Sequence, residues 1–207
     1  MIMKRKTNLF IMTALFFLVG GMGCEKEKDA KDQLPPITQT GANTFGCLYN
    51  GKVFTPLKPD LQFMQPSPGN PLSVKAYYSD TENYSDMIYA MRGKNIINIQ
   101  YIQLYLYQLD LNGEKTYKLE DAVFHSYFNQ PFHCYISCRA VSPTTGKYKF
   151  YGSYTNSGEI IITRYDKENF VISGIFHAVL KEEDGDEITT ISEGRFDLNL
   201  NTLYDKK

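Results

Sequence analysis

The 207-residue chain carries 22 basic and 23 acidic residues, is 14% aromatic and contains no tryptophan. So even a balance supplies no basic surface to displace phosphate counterions, which excludes a nucleic-acid-binding role. The length allows a single domain of ordinary size.

Residues 1–6 hold Lys4, Arg5 and Lys6 and no acid, a positive n-region, and residues 9–19 form an apolar run of eleven broken only by Thr13. A bilayer-spanning helix needs about 20 apolar residues, so this run reads as the core of a secretory signal. Gly21 and Gly23 supply small residues before Cys24. A cysteine directly after a cleavage site resembles the bacterial lipobox, with Gly21 where a branched apolar residue usually stands. The resemblance implies removal of residues 1–23, acylation of Cys24 and attachment to the outer membrane of an exported protein. Several acyl chains at about 0.8 kcal/mol per buried CH₂ hold firmly where one is marginal. Loss of Lys4, Arg5 and Lys6 leaves 19 basic and 23 acidic residues in the mature chain.

Residues 24–39 read as a flexible charged stem stiffened by Pro35-Pro36. The run Glu25-Lys26-Glu27-Lys28-Asp29 resembles the export signal that sends some Bacteroidota lipoproteins to the cell surface. Residues 40–202 are expected to form one all-β domain, an antiparallel sandwich or barrel of roughly ten strands, and residues 203–207 a tail.

Strands at 45–49 and 52–55 flank Asn50-Gly51, whose residues accept the positive φ of a type I′ hairpin turn. Five prolines between 56 and 71 mark a loop. Residues 72–79 and 87–92 read as strands, and 96–109 as the longest extended run. One of its faces carries Ile102, Leu104 and Leu106; the other carries Tyr101, Gln103, Tyr105 and Tyr107, as in an interior strand. Further strands fall at 133–141 and 147–154. A hairpin joins 159–165 to 170–180 through Asp166-Lys167-Glu168-Asn169. In the last strand Ile188, Thr190, Phe196 and Leu198 alternate with Glu193, Arg195, Asp197 and Asn199, the pattern of a half-buried strand with a solvated charge ladder.

Residues 41–47 with 50–54, 158–163, 173–176 and 194–197 resemble the two ends of an uncharacterised lipoprotein family of Bacteroidota. That resemblance implies an all-β exported lipoprotein and transfers no catalytic residue.

Cys47, Cys134 and Cys138 remain in the mature chain. On one straight strand Cys134 and Cys138 stand about 13 Å apart, too far for a bridge. Pairing of Cys47 with Cys134 or Cys138, or three free thiols, stays open. His125, His133, Cys134 and Cys138 fit no tight zinc spacing, so neither metal nor cofactor is expected. Residues 182–187 form an acidic turn that fails the EF-hand pattern and suits a solvated Asp-Gly hairpin. His177 falls opposite an apolar strand face, as a rim histidine would.

No nucleophile elbow or metalloprotease motif is present. The expected role is a non-catalytic binding module for a glycan, a small apolar ligand or a protein partner. Tyr101, Tyr105 and Tyr107 are the candidate ligand-binding platform, although tyrosine is also a good strand residue. An exported glycan hydrolase built on paired carboxylates and a structural periplasmic lipoprotein are the alternatives.

Overall fold

The computed structural model describes residues 29–57, 70–78, 84–93, 99–124 and 131–203. The signal segment, Cys24, most of the proline-rich loop and His125 lie outside them. The described residues form one antiparallel sheet of eleven strands, as the all-β reading requires. The strands are β1 (Thr44–Tyr49), β2 (Lys52–Phe54), β3 (Leu72–Tyr78), β4 (Tyr84–Gly93), β5 (Ile99–Tyr107) and β6 (Thr116–Lys118). They continue with β7 (Tyr135–Val141), β8 (Tyr148–Gly152), β9 (Gly158–Asp166), β10 (Val171–Glu182) and β11 (Ile188–Asn199). The path runs β2-β1-β11-β10-β8-β7-β5-β4-β3. Strand β10 pairs with β9 along residues 171–178 and then with β8 at Lys181 and Glu182.

The turn at Asn50 and Gly51 has φ of 46° and 74°, as the Asn-Gly hairpin reading expects. The sheet curls without closing, and its ends meet at one corner. There Leu57 donates its N–H to the Met91 carbonyl at 2.9 Å, and Arg92 donates Nη1 to the Val53 carbonyl at 2.9 Å. Inside the curl a single hydrophobic core joins Phe45, Ile88, Leu104, Ile136, Ile160, Phe176 and Leu198 with residues of every other strand. Cys47 and Tyr49 on β1 face Cys138 on β7 across this core. Among the described residues these side chains pack into one continuous cluster between the strands.

Three expectations need correction. First, the stem is not flexible through residue 39. From Asp29 onward it is a strap laid on the outer side of β1 and β11. A 3₁₀ turn (Ala30–Gln33) is capped by Asp29, Leu34 is buried, and Pro35 packs so closely on Gly46 that a Cβ there would sit 2.6 Å from Pro35 Cδ. Second, β11 does not alternate simply. A bulge opposite His177, with Glu193 at φ 53°, shifts the register. Before it Thr189 and Ile191 face inward and Ile188 and Thr190 face out; after it Phe196 and Leu198 face inward. Arg195 and Asp197 do point away from the core, but the strap covers them, so they form no solvated ladder. Third, Leu203 is buried in a closing helical turn (Leu200–Leu203) rather than part of a tail.

Asp197 is the strap's fastening. Its carboxylate accepts hydrogen bonds from Thr38 Oγ1 (2.6 Å), the N–H groups of Thr40 (2.9 Å), Gly41 (2.7 Å) and Ala42 (3.2 Å), and Ser173 Oγ (2.8 Å). Burial by itself raises a carboxyl, yet the donors from Thr38, Thr40, Gly41 and Ser173 outweigh it and hold Asp197 well below the ordinary carboxylate range. A depressed folded value means its stabilisation is complete above the unfolded pKa of about 3.9 and is lost as pH falls toward the folded value. Asp197→Ala is expected to cost about 3 kcal/mol in urea unfolding at pH 7, because it orphans several buried donors. The difference between variant and wild type should shrink below about pH 4.

Candidate functional site

The sheet has two outward faces, and the face of β4, β5, β7 and β8 carries the aromatic residues. Period-two alternation turns Tyr101, Gln103, Tyr105 and Tyr107 of β5 away from the core formed by Ile102, Leu104 and Leu106. Cross-strand register then builds rows. Met91, Tyr101, Arg139 and Phe150 stand in one, and Tyr89, Gln103, Ser137 and Gly152 in the next. Met87, Tyr105 and Tyr135 form a third.

The third row is roofed. Tyr105 is fully buried, its ring stacks on Tyr135 at 4.9 Å and 20°, and its hydroxyl donates to Ser85 Oγ at 2.7 Å. Ala122 packs against this cluster, and a Cβ on Gly152 would meet Ala122 and Phe124 at 2.5 Å. Tyr107 lies at the roofed end, with its ring edge-on to Phe132 at 5.8 Å and its N–H donated to Cys134 Sγ. Tyr105 is therefore a core residue and is removed from the platform expected from sequence.

Tyr101 belongs to the open part. Its ring lies 5.2 Å from Tyr89 and 6.5 Å from Phe150, and Arg139 stacks over Tyr148 at 4.3 Å. All five side chains are half-buried: held from beneath and open above. Ser137 Oγ donates to Gln103 Oε1 at 3.0 Å and Arg139 Nη1 donates to the Ile99 carbonyl at 2.6 Å, which fixes the polar groups between the rings. Tyr89, Arg139, Tyr148 and Phe150 escape a reading of β5 alone, because only long-range register brings them beside Tyr101.

The opposite outward face, on β10 and β11, holds a groove of about 530 Å³ lined by Ile37, Ile175, His177, Val179, Ser192 and Glu193. His177 is exposed, as expected, and its cross-strand neighbour is Glu159. Glu159 is ion-paired with Lys118, and that bond, offset partly by burial, keeps its carboxyl below the usual range. A carboxylate so neutralised is poorly placed to orient His177 as a base.

The acidic turn is only partly solvated. Glu187 points inward, accepting from Ser142 Oγ (2.7 Å) and Tyr151 OH (3.0 Å) and pairing with Lys149 (3.2 Å), which also pairs with Glu182 (2.9 Å). Its lone pairs are spent on these donors. Tyr49 OH and Thr189 Oγ1 are buried beside each other without a well-formed hydrogen bond; burial pushes the Tyr49 phenol up, with Cys138, Tyr151 and Glu187 adding to the rise and Thr189 opposing it.

His133 bonds the Asp121 carbonyl at 2.9 Å through Nε2. Among the described residues no group of three His, Cys, Asp or Glu side chains converges as a metal site. Cys47, Cys134 and Cys138 are free and buried. Burial raises all three thiols. Cys134 reaches about 11, moderated by the Tyr107 N–H and Lys115, and Cys47 and Cys138 go higher.

Comparison with protein-family models, with curated proteins and with solved structures finds no match.

Two outcomes are expected. Tyr105→Ala should cost about 3–5 kcal/mol in chemical denaturation, the scale of an aromatic core truncation, whereas the half-open Tyr101→Ala should cost about 1 kcal/mol or less. In the folded protein a chromogenic disulfide reagent at pH 8 should leave Cys47 and Cys138 untouched and modify Cys134 first, with all three reacting in denaturant.

Proposed function

We propose that the chain is an exported lipoprotein, acylated at Cys24 and held on the outer membrane, whose domain is a non-catalytic binding module for glycans. The observation that carries the ligand assignment is the open row of Tyr89, Tyr101 and Phe150 with Arg139 and Tyr148 beside it. A sugar ring has an apolar C–H face that packs on an aromatic ring and a rim of hydroxyls that needs donors and acceptors. Rings fixed side by side on a sheet offer the first without ordering cost at the moment of binding. Gln103 and Arg139, beside the rings, offer the second, with Gln103 held from beneath by the buried Ser137. The signal-like N-terminus and Cys24 support delivery to a compartment where polysaccharide is met.

The test is binding of the isolated domain to a polysaccharide panel by calorimetry. Aromatic contacts are worth about 0.5–1.5 kcal/mol each, so Tyr89→Ala and Tyr101→Ala should each weaken binding roughly two- to tenfold. Phe132→Ala, at the roofed end, should leave affinity unchanged. Equal binding by all variants would remove the platform, and no binding across the panel would remove the ligand class. Cys24→Ser should abolish metabolic labelling of the chain with a tagged fatty acid.

A further inference from the structure

We propose that the outward face of β1, β10 and β11 lies against the membrane that carries the anchor, with the groove beside Ile37 seated in the interfacial lipid. The inference rests on acylation of Cys24 as proposed above. Its first support is the length of free chain. From Asp29 the strap is an ordered turn, the Asp29 carboxylate accepting the Lys31 N–H at 3.2 Å, and its first tie to the sheet is Lys31, which pairs with Glu193 at 2.9 Å. Only five peptide steps separate Cys24 from Asp29, a reach of at most about 18 Å. A domain of this size is roughly 40 Å across. The side bearing the strap must therefore stay near the bilayer, and the domain cannot ride on a long stalk.

The second support is the character of that side. Ile37 is 63% exposed and Ile188 is 48% exposed. Leu48, Ile175 and Val179, half-buried, point outward from the same strands, and Val53 does so from the adjoining β2. The surface is largely aliphatic, with Thr190, Ser192 and the exposed His177 among the branched side chains and Glu193 at the groove. Several of its charges are matched in place: Glu193 takes Lys31 and Arg195, and Asp186 takes Lys181, while Asp29 and Asp32 of the strap are exposed. An apolar face with ions paired around it gains by leaving water in the interfacial zone, where polar groups at its rim can stay hydrated. The third support is that the aromatic row occupies the other wall, so this orientation turns it away from the membrane.

The protein contains no tryptophan, so Ile37→Trp introduces a single reporter at an exposed position. The acylated variant is reconstituted into phosphatidylcholine vesicles containing lipid brominated on the acyl chains, and vesicle flotation is scored first. Flotation with blue-shifted, bromine-quenched emission from Ile37→Trp is expected, and Ile188→Trp should behave alike. Phe132→Trp, on the far wall, should float unquenched. A flexible insert of about 20 Gly/Ser residues after Lys28 should relieve the quenching while flotation persists. Flotation without quenching at Ile37 and Ile188 overturns the orientation and leaves the anchor standing. A blue shift that grows with protein concentration and ignores bromine overturns it in favour of a second copy covering the face. Failure to float removes the anchor itself, and the orientation with it.

Discussion

The buried Asp197 carboxylate is the constraint on which the rest of the arrangement depends. A carboxylate taken out of water is costly unless its lone pairs are filled, and here they are filled by residues 38–42 and Ser173. Because half of the donors are backbone N–H groups, the demand is for a particular chain path as well as for the hydroxyls of Thr38, Thr40 and Ser173. Residues 38–42 must wrap one anion, and the segment before them is thereby drawn across β1 and β11. Gly46 leaves room for Pro35 to lie flat, and Arg195 bonds both Glu193 and the Pro35 carbonyl. The bulge at Glu193 belongs to the same device, since it turns a β11 carboxylate toward Lys31. A left-handed glutamate costs energy; the ion pairs at its side chain and the register change that returns Phe196 to the core help hold it.

What could be read from the sequence divides along a physical line. Turns and faces within one strand are local, and they were legible. Asn50-Gly51 carries its own positive φ, and the two faces of β5 follow from period two. The strap was not legible, because Asp197 and Thr40 are 157 positions apart. Nothing local to Glu193, Arg195 and Asp197 distinguishes a covered charge from a solvated one. The bulge misled the reading of β11 for a related reason: inserting one residue inverts every face before it, and an unbroken alternation pattern does not reveal where a pairing partner forces the slip. The aromatic site was half legible. Tyr101 and Tyr105 are equivalent by alternation, and only the roof laid by residues 122–124 and 132 separates a platform ring from a core ring.

The two outward faces differ in chemistry because they differ in what the chain lays over them. On the β5 side the covering segment lies over the Tyr105 row and reaches Gly152 in the next, and the rings beyond it stay partly open to solvent. On the β11 side the cover is the strap, and what it leaves bare is largely aliphatic. Between them lies the core, with Cys47 and Cys138 meeting across it. The proposed ligand and the proposed membrane contact therefore act through position rather than through a shared pocket. A rigid sheet held close to the bilayer fixes the direction in which the aromatic row points, which a long flexible stem could not do. That orientation reduces the rotational freedom lost when an extended polymer is gripped. It would also let neighbouring copies, each with one modest row of rings, act on the same polymer at high effective concentration. Weak individual contacts on a well-aimed face are sufficient for such a role, and a face built from three half-exposed rings is suited to weak contacts.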